Sequence, residues 1–239
     1  MSRTSSEHQA DAERLTSEGA GNGVQTGTNP AAWRATIQQA ARREALTEAE
    51  ARWDTEHPPF NYRWEHVQAV VRLALRLAEL TGADREIVEA AAWLHDIRKR
   101  GRDDDHGREG AITARQILRE TDFPPEKIEA VADAIVKHVG LSADQPVEPL
   151  EAAVLWDADK LSKLGATAVL HFVGYRVACG GQTTGELVER LSDQPWQPEA
   201  VRSFHTEPAR AAGQRRLQAY REFWERISQE LDGDDLCIS

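Results

Sequence analysis

The chain has 239 residues, 40% of them hydrophobic, enough for one sizeable core or a core with a small appendage. Its 29 basic and 40 acidic residues give a net charge of −11, which argues against duplex nucleic acid as a partner and admits a small anionic substrate only where positive charge or metal is concentrated locally. No apolar run approaches the roughly 20 residues that span a bilayer, and the N-terminus lacks a secretory apolar core. With Cys179 and Cys237 forming no framework, the expectation is a reduced, cytoplasmic protein with no membrane partner; oligomeric state is not readable.

Residues 1–29 are rich in Ser, Thr, Gly and Glu and nearly free of large apolar side chains, so a disordered tail is expected there. Helical patterning begins near Pro30 and runs to about Glu56, where Pro58-Pro59 stops it; residues 30–57 read as an N-terminal helical extension. The main domain, 58–232, reads as helix after helix. Asn61 caps a helix that Gly82 ends, with Val67, Val70, Val71, Ala74 and Ala78 on its apolar stripe. Asp84 caps the next, which carries Ile87, Val88, Ala91 and Leu94 towards His95. A helix follows from about Arg108 to Arg119, and Pro124-Pro125 open another that buries Ile128, Val131, Ala132 and Ile135 and stops before Gly140. The next starts near Pro149 and carries Asp157 and Leu161, with a break at Gly165 before an apolar segment ending at Gly180-Gly181. Glu186–Leu191 is a short helix, and the last long one starts after Thr206 and carries Leu217, Tyr220, Trp224 and Leu231. Strand-like alternation bounded by turns is absent, so the fold class is all-α.

His95-Asp96 is the most informative pair in the chain. Other histidines and an aspartate stand on apolar faces of neighbouring helices. His66 lies in line with Val70, Leu73 and Leu77, His138 with Val131 and Ile135, and Asp157 is flanked by Ala153, Val154 and Leu161. An aspartate on such a face is costly unless paired or bound to a cation. Any one buried imidazole is more often an ordinary core residue satisfied by a hydrogen bond. The whole set, with an adjacent His-Asp pair, requires too many coincidences for that explanation, and points to one or two divalent ions.

These residues resemble the HD-domain superfamily of metal-dependent phosphohydrolases, whose pattern of a leading His, an HD pair and a distant Asp is matched by His66, His95-Asp96 and Asp157. The strings LHDI at 94–97, HGREGA at 106–111, IVKH at 135–138, DADKLSKLGA at 157–166 and HTEPARAAGQRR at 205–216 are similar to the small bacterial YedJ-like group. The resemblance spans roughly residues 58 to 230. It implies an HD-domain helical bundle in which His66, His95, Asp96 and Asp157 hold one metal, with His106 and His138 completing a second that shares Asp96. Imidazole and carboxylate donors suit Mn, Fe, Co, Ni or Zn better than Mg.

The implied activity is hydrolysis of a phosphoester or phosphoanhydride bond in a nucleotide-like small molecule by metal-bound hydroxide. Lys99 occupies the position of a phosphate-contacting lysine in HDxxK proteins, although Arg98 replaces the glycine often found before it. Arg98 and Lys160 are further candidates for substrate phosphate, and a solvated basic turn balanced by Asp103-Asp104-Asp105 is the plain alternative for the arginines. Asp96, Lys99, His106 and His138 are the candidate catalytic residues; His106 or His138 would serve as general base where it is not a ligand. Trp64, Trp93 and Trp156 are first of all core residues, with Trp64 placed to stack on a nucleobase. A di-iron oxygenase and a non-catalytic nucleotide- or metal-binding module are the competing functions.

Overall fold

The computed structural model describes residues 32–100, 105–180 and 182–236. The expected disordered tail lies outside them, as do residues 101–104 of the basic and acidic turn, and Cys237. The regular secondary structure among the described residues is all helical: α1 (Ala32–Trp53), α2 (Tyr62–Thr81), α3 (Arg85–Leu94), α4 (His106–Arg119), α5 (Ile128–Lys137), α6 (Leu150–Leu161), α7 (Ala166–Cys179), α8 (Thr184–Leu191), α9 (Trp196–Arg202) and α10 (Glu207–Asp232). A single 3-10 turn, Pro125–Lys127, leads into α5. No described helix is long and apolar enough to cross a membrane.

The caps are largely those expected from the sequence. The Asn61 side chain accepts from the Trp64 amide at 3.0 Å, and Gly82 closes α2 in the left-handed region at φ 78°. Asp84 accepts from the amides of Glu86 and Ile87 and also pairs with Lys127 at 2.7 Å, tying the start of α3 to the turn before α5. The segment Trp196–Arg202 is a short helix that the sequence reading does not contain: seven residues are too few to show a period.

Helix α6 is the centre of the main core. Every residue from Ala152 to Leu161 is buried, enclosed by α2, α3, α5 and α10. Burial on all sides makes α6 only weakly amphipathic, so its sequence carries little information about which face meets which neighbour. α1 packs across α2 and α3, burying Trp33, Ile37, Ala41 and Ala45. A satellite cluster of Val169, Leu187, Leu191, Tyr220 and Trp224 joins α7, α8 and α10.

Three of the histidines of interest fall at helix ends. His95 and Asp96 occupy the turn that closes α3, His138 closes α5, and His106 opens α4. Gly107 lets α4 lie close against the end of α5: a Cβ there would meet Val139 Cγ2 at 2.6 Å and the backbone oxygens of Ile135 and Val136 at 3.3 Å. That close approach brings His106 and His138 together, with ring centroids 5.2 Å apart.

Candidate metal centre

Two triads of donors meet at Asp96. His66, His95 and Asp96 form one; Asp96, His106 and His138 form the other. The two oxygens of the Asp96 carboxylate face opposite groups. Oδ2 lies 3.5 Å from the Nε2 atoms of both His66 and His95. Oδ1 lies 3.4 Å from His138 Nε2 and 3.6 Å from His106 Nε2. Asp159, from α6, adds a carboxylate oxygen 3.1 Å from His66 Nε2 and 4.0 Å from His95 Nε2. All six residues are buried.

The tautomers follow from the partners of the outer ring nitrogens. His95 Nδ1 lies 2.8 Å from the Ala92 carbonyl, and His138 Nδ1 2.6 Å from the Ile135 carbonyl. A carbonyl only accepts, so both Nδ1 atoms carry the proton, and in the neutral ring each Nε2 presents a bare lone pair. The two histidines use one device: each stands at a helix end and donates to a carbonyl three residues back that its own helix leaves unpaired. His66 Nδ1 lies 3.1 Å from Ser162 Oγ, which spends its proton on the Asp159 carbonyl at 2.7 Å and therefore accepts from His66. His66 Nε2 and His95 Nε2 thus face each other at 3.3 Å, lone pair to lone pair, between two carboxylates. Asp96 Oδ1 and His138 Nε2 are buried with no hydrogen-bond partner. The donor set therefore fits a divalent ion in each triad, since a cation satisfies all of these atoms at once. Because Ser162 orients His66, Ser162→Ala is expected to weaken metal affinity about 10- to 100-fold while leaving the helical fold intact; competition of metal between the protein and a coloured chelator measures this.

The charges are arranged to keep the carboxylates ionised and the His95 imidazole neutral. Burial pulls the His95 imidazole down to about 3. Burial also opposes ionisation of Asp96 and Asp159. The Arg63 guanidinium overrides it at Asp96, and the Lys160 and Lys163 ammoniums override it at Asp159, so both carboxyls sit well below their usual range. Arg63 Nη1 donates directly to Asp96 Oδ2.

Residues 63–164, from the first turn of α2 to the end of α6 and the turn after it, match the HD domain family. Residues 63–164 form an HD domain. Solved structures, among them two of HD-superfamily hydrolases, are similar to the chain over a longer stretch. One from an uncultured Thermotogales bacterium is 24% identical, covers 82% of this chain and 91% of its own, and superposes with a TM-score of 0.57. One from Bacillus thuringiensis is 20% identical, with 82% and 99% covered and a TM-score of 0.56. YpgQ of Bacillus subtilis, solved in complex with ADP, is 18% identical, with 83% and 96% covered and a TM-score of 0.57. At these identities the likeness is one of fold.

Within the HD domain the structure brings together five of the six expected ligands and places the sixth elsewhere. Asp157, expected on the metal, turns instead to the start of α10. Its Oδ1 accepts from the His205 amide at 2.9 Å, and its Oδ2 from the Thr206 amide and hydroxyl at 2.8 and 2.7 Å. The carboxylate that faces the histidines is that of Asp159, two residues on. The apolar flanks of Asp157 misdirect because α6 is apolar on every side. Lys160, expected against substrate, is fully enclosed; its Nζ donates to the His138 carbonyl at 2.6 Å and to Asp159 Oδ2 at 2.7 Å, and lies over the Trp156 ring. It links the two triads and has no open side for a phosphate. Arg98 turns away to donate to Thr113 Oγ1 at 2.8 Å. Trp64, the candidate base-stacking ring, is stacked on Trp93.

Lys99 does stand at the site, its Nζ 3.9 Å from Asp96 Oδ1. A cleft of about 340 Å³ opens from Asp96 to the surface, lined by Arg63, Lys99, Arg100 and Trp93 on one side and by Glu44, Ala45 and Glu48 of α1 on the other. Arg63 and Ser162 are absent from the sequence-based candidates. Arg63 stands three residues before His66, one turn away on the same side of α2, and that spacing is the signal that points to it. Ser162 carries no such signal, because its role depends on where α6 meets α2.

Proposed function

We propose that the chain is a metal-dependent phosphohydrolase of the HD superfamily, close to its YedJ-like group, that cleaves a phosphoester or phosphoanhydride bond in a nucleotide-like small molecule. One observation carries this reading: bare imidazole nitrogens and the Asp96 carboxylate converge at the inner end of a cleft bordered by Arg63, Lys99 and Arg100, in a chain whose net charge is −11. Divalent ions in the two triads would polarise a phosphoryl oxygen and lower the pKa of coordinated water.

The protein's own residues have separate tasks. His66, His95, Asp96 and Asp159 would hold one ion, and Asp96, His106 and His138 the other, with Asp96 shared. Lys99 and Arg100 would neutralise the charge of the phosphoryl group as it enters, and Arg63 would stabilise both Asp96 and the substrate oxygen nearest to it. Lys160 holds Asp159 and the backbone of His138 in place, and the imidazole anchors fix the ring orientations.

The test is a screen of nucleoside mono- and triphosphates with Mn, Co, Ni and Mg. Metal-dependent release of phosphate or pyrophosphate, abolished by a chelator, is expected; no release from any of them with any metal would refute the reading. Within it, His138→Ala is expected to cut bound metal from two ions to one per chain and turnover at least tenfold, read by elemental analysis and the same phosphate assay. Four histidines and a shared carboxylate also favour a second reading, a di-iron oxygenase. Oxygen uptake by protein loaded with ferrous iron, without phosphate release, would select it.

A further inference from the structure

A second cavity of about 460 Å³ adjoins the cleft, and the two share Glu48, Arg52 and Arg63 as lining. Its walls are rings: Trp53 from the end of α1, Phe60 and Tyr62 from the segment entering α2, and Phe172 and Tyr175 from α7. All five are partly exposed. Three of them are held by polar or ring contacts. Trp53 Nε1 donates to the Phe60 carbonyl at 2.9 Å, the Tyr175 hydroxyl accepts from Arg52 Nη1 at 3.1 Å, and Tyr62 meets Tyr175 edge to face at 6.1 Å. Tyr62 also lies parallel to the His66 ring at 6.0 Å, so the compartment ends against a residue of the metal centre. Two of the chain's three tyrosines and two of its five phenylalanines are spent here, on rings that the core leaves half open.

We infer that this compartment is the subsite for a planar aromatic group of the substrate, a heteroaromatic base joined to the phosphoryl group that the metal centre receives. The inference rests on the phosphohydrolase reading for the position of the phosphoryl group and adds the place where the ring of a nucleotide-like substrate would sit. A fixed set of aromatic faces stacks on planar rings and gives little to a bare phosphate. The Glu48–Arg52 pair at the shared rim offers one acceptor and one donor to the edge of such a ring. None of the five rings falls within residues 63–164. The HD domain supplies the donors, and segments on either side of residues 63–164 supply this compartment.

The test uses the full-length, metal-loaded chain with Phe172→Leu and Tyr175→Leu, which keep apolar volume but remove the ring. Calorimetric titration with adenosine, a ring without phosphate, reads the compartment independently of turnover. Adenosine is expected to bind the native chain and to bind each variant roughly tenfold or more weakly. In turnover, KM for nucleotides is expected to rise by a similar factor at little change in kcat, while cleavage of inorganic tripolyphosphate stays unchanged. Adenosine affinity unaltered by both substitutions, or equal losses on nucleotide and tripolyphosphate, would overturn the inference. Adenosine binding that is sensitive to the ring substitutions, in a chain that hydrolyses nothing, would support the compartment and refute the phosphohydrolase reading instead. Thermal melting of each variant separates a lost ring from a lost fold.

Discussion

Asp96→Ala is expected to empty both metal positions at once and to lower phosphate release at least a hundredfold. Among the described residues only Asp96 is a donor to both triads, with one oxygen turned to His66 and His95 and the other to His106 and His138. Loss of a residue that only orients a ligand typically costs 10- to 100-fold in metal affinity, and removal of a shared ligand exceeds that. The fold pays a separate penalty. Arg63 keeps its burial and loses its partner, and an orphaned buried charge costs about 3–5 kcal/mol. Circular dichroism should still show the native helical content, since the apolar core is untouched, but the melting temperature should fall. The double variant Arg63→Met with Asp96→Ala is expected to recover much of that stability and none of the metal. Recovery of metal binding in the double variant would mean that Asp96 is not a ligand.

The second large effect is a contrast between two aspartates one residue apart from being neighbours. Asp159→Ala is expected to reduce bound metal and to lower turnover by at least tenfold, and to unsettle Lys160, whose enclosed ammonium would lose its carboxylate. Asp157→Ala is expected to leave the metal content unchanged. It removes the acceptor of two backbone amides and a hydroxyl at the start of α10, at about 1–3 kcal/mol for each buried donor left without a partner. Elemental analysis and urea denaturation of the two variants separate these outcomes. Metal loss in Asp157→Ala with retention in Asp159→Ala would reverse the assignment.

That contrast shows where the sequence was readable and where it was not. Helices with one apolar face, such as α2 and α5, place His66 and His138 on their inner sides from spacing alone, and Asn61, Gly82 and Asp84 mark boundaries by their capping chemistry. The all-α fold and the HD domain follow from such features together with the His95-Asp96 pair. In α6 the same reasoning has no purchase, because Ala152 to Leu161 are all buried and both Asp157 and Asp159 have apolar neighbours. Choosing between them requires knowing that α10 returns to cover one side of α6 and that α2 covers the other. Arg63 was legible in principle from its spacing to His66. The aromatic compartment was not: Trp53, Phe60 and Tyr62 are separated from Phe172 and Tyr175 by more than a hundred residues, and only the packing of α7 beside α2 unites them.

Elemental analysis of the full-length protein, loaded with manganese and freed of loosely bound ions, tests the central claim most directly. Two ions per chain in the native protein and none in Asp96→Ala are predicted. A native chain that retains no divalent ion, or an Asp96→Ala chain that retains the native complement, would contradict the account.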